Sequence, residues 1–217
     1  MKLIQAAIAT FTLAGATAAM SAPVLNFENL FTATDKPDSL VRLSDQYESS
    51  GVLFESEGWV VNARGAGGLG NFSNTPSGIA AATLISDAMS GPASLLARVK
   101  GGFQDSLTLS YTTDQIDVGV SLLDEQGKVL SSFLLNSVSQ VGCGTLDLCN
   151  WSRGTKLSFD GTAYAVRFSG ASGQAFFDDI SFGSGGNQTV PEPASLALLV
   201  AGLAAAGCAR RRRTGAA

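Results

Sequence analysis

Ser106-Leu107-Thr108-Leu109-Ser110-Tyr111 is followed, after a short break, by Ile116-Asp117-Val118-Gly119-Val120-Ser121-Leu122. Both stretches alternate polar with apolar, and a period of two predicts strands with one buried and one wetted face. Asp124-Glu125-Gln126-Gly127-Lys128 reads as a turn and Val129 to Leu135 as the returning strand of a hairpin. Downstream, Lys156–Phe159, Ala163–Phe168 and Ala175–Phe182 read as three more strands, punctuated by Asp160-Gly161 and by Gly170 to Gly173. Upstream, Leu25–Leu30, Val52–Glu55 and Trp59–Asn62 carry strand patterns, with Leu43–Glu48 ahead of a break at Ser49 to Gly51. Ile79–Ile85 fits a buried strand or a short helix, and Leu95–Val99 is equally ambiguous. About nine or ten short strands without an amphipathic helix predict an all-β fold, an antiparallel β-sandwich of jelly-roll type.

Between two of these strands lies Arg64 to Gly78, a loop by composition, which contains Gly65-Ala66-Gly67-Gly68-Leu69-Gly70. The spacing matches G-x-G-x-x-G, but Asn71, Ser73, Asn74, Thr75 and Pro76 follow it. A phosphate cradle needs a helix to open at the third glycine, so this match predicts no nucleotide site.

The chain of 217 residues has no histidine, which removes the commonest general base, the usual triad member and the usual zinc ligand. Residues 23–189 carry 9 basic and 17 acidic side chains, a net charge of -8. Such an acidic domain has no footprint for nucleic acid.

The two ends differ in character from this middle. Met1-Lys2, an apolar run and small residues near Ala19 to Ala22 form the pattern of a secretory signal peptide, residues 1–22, with cleavage after Ala19, Ser21 or Ala22. The sandwich domain is expected over residues 23–183, a Gly/Ser/Asn linker over 184–189 and a separate tail over 190–217. In the tail, Val190-Pro191-Glu192-Pro193 precedes an uncharged run, Ala194 to Ala209, and then Arg210, Arg211, Arg212 and Arg213. A sixteen-residue helix spans roughly 24 Å, short of the roughly 30 Å hydrocarbon core, so it suits transient membrane insertion better than a permanent span. The arginines hold its end on the cytoplasmic side.

V-P-E-P, an apolar helix and an arginine cluster together resemble the PEP-CTERM sorting signal. That resemblance covers only Val190 to Ala217 and implies export across the inner membrane of a Gram-negative bacterium. It further implies an exosortase-type processing enzyme as partner, removal of the tail near Pro191-Glu192-Pro193, and delivery to the cell surface or an extracellular matrix rich in polysaccharide.

In the exported part the only cysteines are Cys143 and Cys149, an even count in an oxidising compartment, which favours a disulfide over two free thiols. Phe176-Phe177-Asp178-Asp179-Ile180-Ser181-Phe182 resembles the closing strand of jelly-roll carbohydrate-binding and lectin-like modules, and Asn26-Phe27-Glu28 resembles their opening strand. The resemblance implies a structural calcium ion shared by the termini, with Glu28 and Asp178 or Asp179 as ligands and Asp45 as a further one. Calcium takes six to eight hard oxygens, so backbone carbonyls would complete the set. The plainer reading makes Asp178 and Asp179 a strand-end pair, one in water and one bonded to backbone amides.

Sugar binding would need exposed aromatic platforms, for which Trp151, Trp59 and Tyr47 are the first candidates, with Tyr111 and Tyr164 behind them. Neighbouring strand carboxylates point to opposite faces, so Asp178 and Asp179 cannot flank one bond. Glu55 and Glu57 share a face but read as solvated edge charges. The sequence therefore predicts an exported, non-catalytic module associated with polysaccharide. Its rivals are a purely structural or adhesive surface protein, and a jelly-roll glycoside hydrolase or lyase.

Overall fold

The computed structural model describes residues 24–31, 36–113, 115–144 and 147–183; the expected signal peptide, linker and sorting tail lie outside them. Ten strands follow one another: β1 (Val24–Leu25), β2 (Leu40–Arg42), β3 (Val52–Ser56), β4 (Gly58–Asn62), β5 (Ala80–Leu84), β6 (Pro92–Thr113), β7 (Val118–Leu123), β8 (Val129–Leu135), β9 (Ser152–Ala171) and β10 (Ala175–Phe182). All pairings between them are antiparallel.

Two strands are much longer than the alternation predicts, β6 with 22 residues and β9 with 20. They pair with each other along almost their whole length, and each serves both layers of the sandwich. In one layer the order is β2-β4-β5-β10 followed by the second half of β6 and the first half of β9, with β1 beside the end of β10. In the other, β3, the first half of β6, the second half of β9, β7 and β8 lie side by side. The ladder slips between Arg98 and Phe103, where Gly101 and Gly102 have φ of 79° and 74° and Gly161 opposite has 92°. Left-handed backbone is open to glycine without a steric penalty, and bulges of this kind bend a strand sharply. A Cβ on Gly102 would lie 2.7 Å from Thr162 Cγ2 and 3.0 Å from the Ala163 carbonyl oxygen, so the corner is also too tight for a side chain.

Between the layers lies one apolar core. Alternate residues of β6 enter it from both halves: Leu95, Ala97 and Val99 on one side of the corner, Leu107 and Leu109 on the other. Phe168 of β9 meets Phe177 of β10 with ring centroids 4.7 Å apart, and Phe103 packs on Phe182 at 5.0 Å. A second core covers the outward face of the first layer, where Val61, Ala81 and Phe176 carry Phe72, Leu148 and Trp151 from the loops above.

Several local expectations are corrected. The opening strand stops at Leu25; Phe27 is left-handed with φ 63°, and Glu28–Leu30 form a 3₁₀ turn. Leu43–Glu48 is a turn rather than a strand pattern in use, with strand β2 ending just before it. Ile79–Ile85 resolves to strand β5, all five of whose residues are buried. Arg64–Gly78 is a loop, as its composition predicts, and no helix opens at Gly70.

The corner yields a prediction. Gly102→Ala should destabilise the domain by about 1–3 kcal/mol through its left-handed backbone and the contact with Thr162. Gly127→Ala, in the β7–β8 turn with φ 81° but open space around it, should cost only the backbone part. Equal losses of melting temperature for the two variants would remove the steric argument.

Candidate functional site

Three places hold the residues that the sequence singles out, and each has a different chemistry. The first is where the two ends of the domain meet. Val24 and Leu25 pair with Ser181 and Ile180, so the termini are adjacent as expected. Both carboxylates nearby grip one short segment, residues 77–80. Glu28 accepts the Ile79 N–H at 3.0 Å and the Ala80 N–H at 2.7 Å. Its carboxyl group sits so close against Gly78, φ 41°, that a Cβ there would overlap it. Asp178 is fully buried and accepts the Ser77 N–H at 2.9 Å, the Ser77 hydroxyl at 3.0 Å and the Asp179 N–H at 2.8 Å.

Glu28 and Asp178 are thus brought together, but Asp45 and Asp179 do not join them. Among the described residues no group of three or more acidic or cysteine side chains could hold a metal ion. Asp45 is exposed and accepts the Ser44 hydroxyl at 3.0 Å, while Asp179 takes a left-handed bulge conformation with φ 50°. The groups turned toward Glu28 and Asp178 are N–H and O–H donors, whereas calcium needs six to eight oxygen acceptors. As arranged, this donor set does not fit calcium.

Burial pushes the Asp178 carboxyl up to about 6, against the opposing pull of the amides of Ser77 and Asp179. Burial likewise pushes the Tyr47 hydroxyl up to about 12, with the Glu28 and Asp178 charges adding to it. Tyr47 is 6% exposed, donates to Asn29 Oδ1 at 3.0 Å and stacks edge-on against Phe27 at 5.8 Å. It is a core residue, not a platform for sugar.

The second place is the cystine loop. Cys143 and Cys149 are bonded, with Cα atoms 5.6 Å apart. Gln140 organises the loop: its Oε1 accepts the N–H groups of Cys149 at 2.9 Å and Asn150 at 3.1 Å, and its Nε2 donates to Val138 O at 3.0 Å. Leu148 is bridged to Phe72, so the cystine loop and the Gly-rich loop cover the outer face of the first layer together. Trp151 donates its indole N–H to Ser73 O at 2.8 Å and meets Phe72 edge-on at 5.8 Å. That makes Trp151 a cross-brace between loops. Trp59 is half-buried on the same face, with the Arg42 guanidinium 5.7 Å from its ring centre.

A groove of about 740 Å³ across the outer surface of the second layer is the third place, and the only one open to a ligand of some size among these. Half-buried Tyr164 lies in it, flanked by Glu48, Arg98, Lys100, Gln104 and Glu125. Arg98 is held by Glu55 at 2.9 Å, and Gln104 donates to Thr162 Oγ1 at 2.8 Å, so both polar groups have fixed directions. Glu57 is occupied elsewhere, accepting the Ser94 N–H at 2.8 Å. Sequence reasoning ranked Tyr164 behind the tryptophans and did not foresee its neighbours. They come from the 3₁₀ turn before β3, from β6 and from the β7–β8 turn, which only the sheet order brings beside Tyr164 of β9.

Asp178 generates a prediction whose sign is fixed by the upward shift. The folded state favours the protonated carboxyl, so this group's contribution to stability is complete below the ordinary aspartate range near pH 4 and is lost as pH rises to about 6. The melting temperature of the parent should fall relative to that of Asp178→Asn across this window, and a constant difference would refute the shift. The same melts in millimolar calcium and in chelator should coincide. A rise of several degrees with calcium in the parent that is lost in Asp178→Asn would put an ion beside Asp178.

Residues 189–213 match the PEP-CTERM protein-sorting motif. No curated protein matches the chain. Among solved structures, TmCBM61 in complex with β-1,4-galactotriose is similar at 14% identity over 62% of this chain and 91% of that one, with a TM-score of 0.37. A DUF4465 family protein from Bacteroides caccae is similar at 14% identity over 73% and 96% of the two chains, with a TM-score of 0.38. Arabinose-bound MgGH51 α-L-arabinofuranosidase is similar at 13% identity over 76% of this chain and 27% of that one, with a TM-score of 0.37. Likeness at this level says nothing of ligand or activity. The sorting motif does speak to location: the protein carries a PEP-CTERM signal and is exported, exosortase-sorted and associated with the cell surface.

Proposed function

We propose that the exported domain is a non-catalytic module that binds polysaccharide of the cell surface or its matrix in the groove around Tyr164. The observation that carries this reading is the groove itself, an open channel with one half-buried aromatic ring among directed polar side chains. Sugar rings present apolar C–H faces and a rim of hydroxyls, which suits an aromatic body flanked by hydrogen-bonding groups. Arg98, Lys100 and Gln104 supply donors, and Glu48 and Glu125 supply acceptors. A second reading, cleavage of the bound glycan, would rest on Glu48 and Glu125, because both line the groove. The non-catalytic reading is preferred because the chain has no histidine and Glu55 and Glu57 are engaged with Arg98 and the Ser94 amide.

A glycan array of the exported protein should show binding, and Tyr164→Ala should weaken it about tenfold or more, roughly 1.4 kcal/mol, without lowering the melting temperature. No binding to any glycan would leave the structural or adhesive reading. New reducing ends, lost in Glu48→Gln or Glu125→Gln, would make the groove an active site.

The sorting signal carries a separate prediction. Protein recovered from the cell surface should have an intact mass that excludes Arg210 to Arg213, the tail having been removed near Pro191-Glu192-Pro193. A mass that includes the arginine cluster would refute removal.

A further inference from the structure

The strands that meet at the groove around Tyr164 lie in the order β3-β6-β9-β7. Glu48 reaches the groove from the turn before β3 and Glu125 from the turn after β7. The two carboxylates therefore stand at opposite ends, with Arg98 and Lys100 of β6 and Tyr164 of β9 between them. Both glutamates are exposed, and among the described residues neither side chain makes a hydrogen bond or an ion pair. The Lys100 side chain is likewise without a partner among the described residues, whereas Arg98 already holds Glu55 at 2.9 Å. With Glu55 included, three carboxylates face two cations at the groove. Asp124 and Lys128, on either side of Glu125, offset each other, and Arg167, farther along β9, does not line the groove. Around this arrangement residues 23–189 carry a net charge of -8.

We propose that the groove selects uncharged polysaccharide and rejects polyanions, a selectivity that rests on glycan binding in this groove. Sugar hydroxyls both donate and accept. A neutral chain can therefore donate to Glu48 and Glu125 at the two ends and accept from Arg98, Lys100 and Gln104 between them. A uronate or sulfate group only accepts. On a polymer that repeats such a group, an anion that meets Lys100 carries others toward Glu48 or Glu125, where like charge meets like charge and no donor answers it. Repulsion built against the wrong ligand discriminates as effectively as contacts made to the right one. The field of the acidic domain opposes the approach of a polyanion as well. From β3 to β7 there are three inter-strand steps, roughly 14 Å at about 4.8 Å each, so the groove suits a run of several sugars rather than a single ring.

Affinity electrophoresis of the exported protein against uncharged polymers, each paired with its carboxylated or sulfated counterpart, tests this at low and at high salt. At low salt the uncharged member of a bound pair should be held about tenfold or more tighter, and salt should narrow the gap by screening the charged member alone. The double variant Glu48→Gln with Glu125→Gln should narrow the low-salt gap from both sides, weakening the neutral ligand and strengthening the charged one. Its melting temperature should match the parent's, because both side chains are exposed. A charged polymer held as tightly as its neutral counterpart, or a gap unmoved by the double variant, would overturn the selectivity and leave glycan binding standing. Binding to neither member of any pair would remove glycan binding itself, and the selectivity with it.

Discussion

Strands β6 and β9 run through both layers of the sandwich, and their mutual pairing is the constraint on which the remaining strands depend. Each contributes inward side chains on both sides of a corner at Gly101-Gly102 and Gly161. A sandwich whose sheets are joined only by loops can lose one sheet's register without moving the other. Here a shift at the corner would move Leu95 and Val99 in one layer together with Leu107 and Leu109 in the other. Full burial of a large apolar side chain contributes about 1.5–3 kcal/mol, and Phe27, Phe103, Phe168 and Phe177 are all fully buried around this ladder. Register is set by many such contacts at once, because a one-residue slip would turn the whole apolar set outward.

The outward face of the first layer poses the opposite problem, since Val61, Ala81 and Phe176 would otherwise be exposed apolar surface. Two loops solve it together. The Gly-rich loop brings Phe72, the cystine loop brings Leu148, and backbone bridging, the Trp151 indole and the Arg64–Asp147 ion pair at 2.8 Å tie them together. The disulfide shortens the unfolded ensemble of the second loop, and Gln140 satisfies amides that the tight loop would leave without partners. The run of glycines is explained by packing. Gly68 and Gly70 lie against the Asn62 carbonyl with no room for a Cβ.

Much of this was legible in the sequence, and the failures have a common cause. Alternation located β7, β8, β10 and parts of β6 and β9, because those residues have one face in the core and the other outside. It divided the two long strands into pieces, because bulges at Gly101-Gly102 and Gly161 reset the phase and look like turns. It extended the opening strand through Phe27-Glu28, since a left-handed Phe27 keeps the same side-chain pattern that a strand would show. The acidic residues of the closing strand were found, but their partners were not: backbone amides of residues 77–80 carry no signal in the side-chain sequence. Exposed aromatics failed for a similar reason. Trp151 and Tyr47 spend their polar groups on Ser73 and Asn29, and the groove that leaves Tyr164 accessible exists only once β3, β6 and β9 are side by side.

The point where the chain leaves the described domain bears on its life at the cell surface. Strand β10 lies inside its layer, between β5 and β1 on one edge and β6 on the other, so a pull on its end loads several ladders in shear. Phe182 is locked beside Phe103, and the Gly183 N–H donates to Ser106 O at 2.7 Å. Both partners belong to β6, just past the corner that joins the layers. Tension entering at the end of β10 is therefore passed first to the strand that both layers share. A load applied at an edge strand such as β8 would peel ladder bonds one at a time, whereas a load applied at the end of β10 engages the whole core before any strand can separate.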